Sequence, residues 1–286
     1  MNLRWIIVWI IGWILSVGGP VQATSVWPQG VVDAADPLGF FYDIPPDEEV
    51  LREDGPAVAQ LLEKSASLKI FVWNVYKGQR DRLLPDLQVY SEASDFVLLQ
   101  ETLTSTSFTN AFNRVNGMAW HSAISFFDEK VGTGVSTGSR FAISSLKFLR
   151  SEPREPIINT PKMVLLAEYP IEGEREPLLV ANIHGINFVA NSDFKKQIRQ
   201  LFNELAQHRG PILLGGDFNT WNADRRKFLV KMTQSQDLVH VTWPRDHRFF
   251  ELDHIFVRGL DVKRSHILDY VDSSDHEPLF IEAKLH

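Results

Sequence analysis

From Leu68 onward, short apolar runs of strand length alternate with segments whose apolar residues recur every three or four positions. The runs Leu68–Val75, Phe96–Leu99, Ala119–Phe127, Gly134–Ser139, Ala142–Leu149, Met163–Tyr169, Leu178–Ile183, Ile212–Leu214, Ile255–Val257, Val262–Leu268 and Leu279–Ala283 predict β-strands. They favour β-branched and aromatic residues and are separated by turn residues. Helices are expected over Asp81–Tyr90, Thr106–Val115, Asp193–Gln207 and Ala223–Lys231. The third is the clearest: Phe194, Ile198, Leu201 and Leu205 share one face, and Asp193 lies near its start. Ser151–Lys162, with Pro153, Pro156 and Pro161, reads as irregular. Many strands and few helices predict an α/β protein of two packed sheets with helices outside.

The N-terminal end has a different pattern. Met1–Ala23 carries one charge, Arg4, then the apolar run Trp5–Leu15, then Ser16, Gly18, Gly19, Pro20 and Val21-Gln22-Ala23. A basic start, a short apolar core and small residues before a cleavage point describe a secretory signal. The alternative is an uncleaved anchor, favoured by Trp5, Trp9 and Trp13, and either reading places the protein outside the cytoplasm, in the periplasm or secreted. No other stretch approaches the roughly 20 apolar residues that span a bilayer. Residues 24–67 read as a lead-in, with several prolines, an acidic cluster from Asp47 to Asp54 and a helical turn or two over Ala57–Lys64. It is expected to be solvated and to pack on a domain spanning residues 68–286.

Composition narrows the chemistry. The chain of 286 residues is 44% hydrophobic and 23% charged, which excludes disordered, collagenous and coiled-coil classes. Its formal charge is −7, so no basic excess advertises a tightly held polyanion. It contains no cysteine, which removes disulfides, thiol nucleophiles, zinc fingers and iron–sulfur clusters.

Polar residues repeatedly follow the apolar runs. Asn74 ends Phe71-Val72-Trp73, Gln100-Glu101 follow Phe96–Leu99, and His184 and Asn187 follow Leu178–Ile183. Asp217 and Asn219 follow Ile212–Leu214 through two glycines, Asp253 opens a strand, and Asp275-His276 precede Pro278. Loops at the ends of rigid strands are where reactive groups are best held. If these loops converge, four carboxylates share one cleft and repel unless a cation joins them. Oxygen donors without thiols suit Mg²⁺ or Mn²⁺, and His184 and His276 can move protons near neutral pH.

Trp73-Asn74-Val75, Leu99-Gln100-Glu101, Asn182-Ile183-His184, Gly216-Asp217-Phe218-Asn219, Leu252-Asp253-His254-Ile255 and Ser274-Asp275-His276 occur in the order found in the endonuclease/exonuclease/phosphatase superfamily, which the chain resembles from Leu68 to its end, most closely in an exported bacterial branch. The resemblance implies a four-layered α/β sandwich, two mixed sheets face to face with helices outside. It implies a phosphoesterase using Mg²⁺ or Mn²⁺. Glu101 resembles the principal metal ligand, with Asn74 beside it and Asp275 near the metal. His276 resembles a phosphate contact or base oriented by Asp253. Asp217 and Asn219 resemble the pair positioning water and phosphate, Asp217 being the rival base. His184 resembles the general acid of deoxyribonuclease-like members, and Asn187 a phosphate contact. The apurinic endonucleases usually carry tyrosine where His184 stands, which argues against abasic-site repair. A nucleic-acid phosphodiester is the first substrate class, a phospholipid or soluble phosphate ester the second, and a non-catalytic binding protein the third reading. Arg140, Arg154, Lys162, Arg225 and Arg226 are candidates for a basic rim, and Trp221 for base stacking. No protein partner is expected.

Overall fold

The computed structural model describes residues 42–286. The expected signal and the first part of the lead-in lie outside the described residues. The elements in chain order are β1 (Tyr42–Asp43), β2 (Leu51–Asp54), β3 (Ser67–Asn74), α1 (Leu83–Glu92), β4 (Phe96–Leu103), α2 (Thr106–Arg114), β5 (Ala119–Asp128), β6 (Val131–Ser139), β7 (Ser145–Arg150), β8 (Met163–Tyr169) and β9 (Leu178–His184). There follow α3 (Asn191–Leu205), β10 (Ile212–Asp217), α4 (Ala223–Gln234), β11 (Val239–His240), β12 (Asp253–Arg258), β13 (Leu260–Ile267) and β14 (Leu279–Leu285).

Two mixed sheets result. One has the order β1-β5-β6-β4-β3-β14-β13, with β2 also paired to β5; the other runs β11-β12-β10-β9-β8-β7. Side chains alternate across a strand, and here both faces are covered, which is why the central strands read as continuous apolar runs. Ile70, Val72 and Leu98 meet Val180, Leu213 and Ile255 between the sheets. The alternate residues Phe71, Trp73, Val97 and Leu99 face outward against Leu83 and Leu87 of α1 and Phe108 and Phe112 of α2. On the far side, Leu179, Ile183 and Leu214 pack against Phe194, Ile198, Leu201 and Leu205 of α3 and Leu229 of α4. The four-layered α/β sandwich is the fold the motif order implied.

The lead-in differs from expectation. From Tyr42 it is part of the sheet: β1 and β2 both pair with β5, and Val50 is fully buried against Ala123 and Val135. The acidic residues hide a sheet-edge strand, Arg52 making a paired contact with Asp54. No helical turn forms over Ala57–Lys64. That stretch is held extended by Leu62, fully buried, whose N–H donates to Pro170 O at 3.3 Å and whose carbonyl accepts from Glu172 N at 2.8 Å. The strand expected from Ala142 begins only at Ser145, because Ala142 N–H is turned to Gln60 O.

Candidate active site at the ends of the two sheets

Strand register does most of the positioning. His184, Asp217 and Asp253 stand side by side at matching ends of β9, β10 and β12. Opposite them, Asn74 at the end of β3 is partnered with Gln100 of β4. Gly216 permits the close packing behind Asp217: its φ is +141°, and a Cβ there would meet Ile183 O at 2.0 Å.

Glu101 is delivered by a β-bulge. The register of β4 against β6 shifts between Gln100 and Thr102, and Glu101 takes a φ of +58°. A bulge re-aims one side chain, and a left-handed non-glycine residue is costly enough to need support from its surroundings. Gln100, fully buried, donates to Asn182 Oδ1 at 2.7 Å, while Asn182 donates to Leu99 O and Ser136 O, so the sheets are joined by hydrogen bonds beneath the bulge.

The carboxylates and histidines then meet. Asp217 accepts from Asn219 N at 2.8 Å, Asn219 Nδ2 at 3.2 Å and Asn74 Nδ2 at 3.1 Å. Asn219, at φ +53°, also donates to Gly185 O at 2.9 Å. His276 Nδ1 lies 2.8 Å from Asp253 Oδ2. Its loop is fixed by Trp73 Nε1 donating to His276 O at 2.9 Å and Ser274 Oγ donating to Asn74 O at 2.6 Å. His184 Nε2 lies 3.8 Å from Glu101 Oε1 and 3.6 Å from Asp217 Oδ2. Gln197 of α3 donates to His184 O and accepts from Ile186 N, bracing the turn after β9.

Electrostatics follow from this crowding. Burial pushes the Asp217 carboxyl up, His276 opposes and Asp253 reinforces, and the outcome is a rise to about 7. Burial disfavours a charged His276, yet Asp253, by charge and hydrogen bond, with Asp217 and Asp275, holds it well above the ordinary histidine value. His184 is driven well below that value by burial and by the Lys162 ammonium. Burial works to raise Glu101, but Lys77, His184, Lys162 and His276 hold its carboxyl well below the usual range. Asp275 is raised by burial and by Glu101.

The structure brings Asn74, Glu101, His184, Asp217, Asn219, Asp253, Asp275 and His276 together, and Asn187 lies in the turn directly after β9 and His184. The Asn187 Oδ1 accepts from Phe188 N at 2.9 Å, which orients the amide within that turn. Asp275 lies at the rim, open to solvent on one side while its carboxyl is turned among protein groups that include Glu101 and His276. Two lysines were missed as site residues. Lys77 Nζ is 3.3 Å from Glu101 Oε2, in a turn where Lys77 has a φ of +51°. Lys162, expected at a solvated rim, is largely buried, pairs with Glu155 at 3.2 Å and presents its charge to Glu101, His184 and Asp217.

A hard divalent cation fits these residues. The donors are carboxylates and an amide, and Asp253 Oδ1 is buried without a hydrogen-bond partner. Ligand atoms of Asp217, Asp253 and His276 lie within 4.8 Å of one another, but His276 Nδ1 is already bonded to Asp253.

The expected basic rim is mostly built into the fold. Arg225 is fully buried and donates to Ile186 O, Asn219 O and Val189 O, with its guanidinium 4.6 Å from the rings of Phe194 and Trp221. Arg140 donates to Ser94 O and Asn116 O, Arg226 to Thr220 O and Arg154 to Asn159 O. Trp221 is half-buried, with the Arg225 guanidinium against its ring.

Comparison with known proteins agrees with this architecture. The chain is 31% identical over 261 residues to the UPF0294 protein of Vibrio campbellii, covering 85% of this chain and 91% of that one. An endonuclease/exonuclease/phosphatase structure from Bacteroides vulgatus superposes with a TM-score of 0.63 at 13% identity, over 77% of this chain and all of that one. ANGEL2, a 2′,3′-cyclic phosphatase solved with adenosine-2′,3′-vanadate, superposes with a TM-score of 0.61 at 14% identity, over 82% of this chain and 98% of that one. The model of the Endonuclease/Exonuclease/phosphatase family matches residues 71–276, a span holding every group of the site, and the chain belongs to that family.

Proposed function

We propose that the protein is a divalent-metal-dependent phosphodiesterase, exported from the cytoplasm. The observation that carries the reading is the His276–Asp253 pair standing beside Asp217, with Glu101 re-aimed toward them by a bulge. A phosphate ester enters with negative charge, and few positive groups are positioned to receive it. Asp253 accepts the His276 Nδ1 proton and so directs Nε2–H outward to a phosphate oxygen. Asp217, oriented by three N–H donors, takes a proton from water. The water oxygen bonds to phosphorus, the P–O bond to the departing oxygen breaks, and that oxygen takes a proton from solvent, balanced when Asp217 releases the one it took from water. His184 meets the departing oxygen with its N–H. Glu101, Asn74 and Asp275 would hold Mg²⁺ or Mn²⁺, which when bound would neutralise phosphate charge and stabilise the departing oxygen.

Family membership supports phosphate-ester hydrolysis, and the cyclic phosphatase activity in the name of ANGEL2 belongs to the same chemistry. His184 favours a diester with an alkoxide leaving group, as in nucleic acid. The arginines expected to hold a polyanion are instead bonded to backbone carbonyls. Export rests on the sequence pattern of Met1–Ala23. The test is a panel of plasmid DNA, RNA, sphingomyelin, phosphoinositide and bis-p-nitrophenyl phosphate with Mg²⁺ and with Mn²⁺. Turnover of a diester supports the reading. No turnover of any member with either metal sinks it.

A further inference from the structure

The turn after Asn74 is built from three successive left-handed residues, Tyr76 at φ +46°, Lys77 at +51° and Gly78 at +67°. Of these only the glycine adopts that conformation without cost. The turn is nonetheless pinned in place. Val75 N donates to Gln100 O at 2.9 Å, Tyr76 N to Asn74 Oδ1 at 3.1 Å and Gly78 N to Val75 O at 2.9 Å. It is thus tied to Asn74 and to the residue before Glu101. Strained residues that their surroundings hold in place mark positions where the direction of a side chain matters.

Here the direction produces one contact. Lys77 on its turn and Glu101 on its bulge, at φ +51° and +58°, point at each other. Lys77 Nζ lies 3.3 Å from Glu101 Oε2, and the two side chains are only 15% and 18% exposed. The other oxygen, Oε1, faces His184 Nε2 at 3.8 Å. Lys77, Glu101, Lys162 and His184 line one small cavity. Lys162 is balanced there by Glu155 at 3.2 Å. Lys77 draws instead on Glu101, the carboxylate that a divalent cation would also use. Two cations attracted to one carboxylate repel each other, and a partly buried site screens that repulsion poorly.

We propose that Lys77 is a competitor built into the site: its ammonium shares the Glu101 carboxylate with the divalent cation and sets the cation concentration at which the site fills. Lys77 is a positioning residue, acting through Glu101. When the cation is dilute, the same ammonium offsets the repulsion among Glu101, Asp217, Asp253 and Asp275. The proposal rests on the reading of Glu101 as a metal ligand, and the test keeps the two apart.

Mn²⁺ binding to the full chain is measured from the electron paramagnetic resonance signal of the free ion, without substrate, for the parent and for Lys77→Gln, Lys77→Asn, Lys77→Arg and Glu101→Gln. Gln removes the charge, Asn removes it in a residue that tolerates the left-handed conformation, and Arg keeps it. Lys77→Gln and Lys77→Asn are expected to bind Mn²⁺ at least ~10-fold more tightly than the parent, and to gain more in thermal midpoint when Mn²⁺ is added. Lys77→Arg is expected to stay within ~3-fold of the parent, and Glu101→Gln to bind at least ~10-fold more weakly. Unchanged or weaker Mn²⁺ binding by both uncharged variants overturns the proposal, as does equal tightening by Lys77→Arg. Those results leave Glu101 as a ligand if Glu101→Gln still binds weakly. Parental affinity in Glu101→Gln takes that carboxylate out of the metal site, and the proposal falls with it.

Discussion

His276 and His184 sit in one pocket, yet their neighbours give them opposite characters. Asp253 at 2.8 Å favours charge on His276, while burial and Lys162 remove it from His184. A group acting on the phosphate itself affects all substrates alike, so His276→Ala is expected to lower turnover by ~10²–10⁴-fold whatever the leaving group. In the proposed reaction His184 meets the departing oxygen, where charge develops most on an alkoxide. His184→Ala is therefore expected to be far more damaging on an alkyl diester than on a p-nitrophenyl diester; equal losses on both would remove it from that position. Most of these side chains were legible in the sequence because each follows an apolar run that the fold turns into a buried strand. Lys77 and Lys162 were not. Lysine is ordinarily a surface residue. Only the fold shows that the Pro-rich segment 151–162 returns over Glu101 and that the turn after Asn74 brings Lys77 to the same carboxylate. Asn187 lies in the turn after His184, as its place in the chain suggested, with its Oδ1 held by Phe188 N.

Among the elements, β10 packs closely against β9. A methyl group at Gly216 would overlap the carbonyl of Ile183 in the adjacent strand. Gly216→Ala is expected to destabilise by about 3 kcal/mol or more, from backbone strain and overpacking together, read as a lower urea midpoint. A midpoint near the parent value would mean that β9 and β10 can separate at little cost. On β12, His254 lies in a buried hydrogen-bond chain, with Nε2 2.7 Å from Thr220 Oγ1 and Nδ1 3.0 Å from His240 Nε2. The Thr220 hydroxyl proton goes to Glu251 O, so His254 Nε2–H donates to Thr220 and its Nδ1 accepts from His240. Burial and the neighbouring His240 hold the His254 pKa well below 6.5. The unfolded chain then binds the proton that the folded chain refuses. Stability from this group is full above the ordinary value of 6.5 and is lost as pH falls below it. The thermal midpoint is expected to drop on acidification below that pH, and His254→Asn to show a shallower drop; parallel slopes would contradict the assignment. The central strands were readable because both their faces are covered. β2 was not, because Leu51-Arg52-Glu53-Asp54 pairs only with β5 and keeps its charges at an edge. β11, two residues long, is too short for any period to show.

At the scale of the whole molecule, each sheet supplies half of the site. Asn74 and Glu101 come from one sheet, His184, Asp217 and Asp253 from the other, and the loop before β14 carries Asp275 and His276 between them. The motif order made this convergence readable. The surface beyond it was not, because an arginine in sequence does not reveal whether it faces a ligand or, like Arg225, the backbone beneath it. Among the described residues no helix is long and apolar enough to cross a membrane. For residues before these, the pattern ending in Val21-Gln22-Ala23 leads us to propose a mature N-terminus at Thr24, checked by N-terminal sequencing of protein recovered from the envelope; an intact Met1 in the membrane fraction would establish an anchor. The central claim is that Glu101 and Asp275, with Asn74 beside them, hold a divalent cation that serves phosphodiester hydrolysis at the end of the two sheets. It is tested most directly by the rate on bis-p-nitrophenyl phosphate after EDTA treatment, followed by titration with Mg²⁺, for the parent chain and for Glu101→Gln. The account predicts that EDTA abolishes turnover, that Mg²⁺ restores it, and that Glu101→Gln requires at least ~10-fold more Mg²⁺ with the fold intact. A parent chain whose turnover survives EDTA unchanged, or a variant with the parent's titration curve, would contradict it.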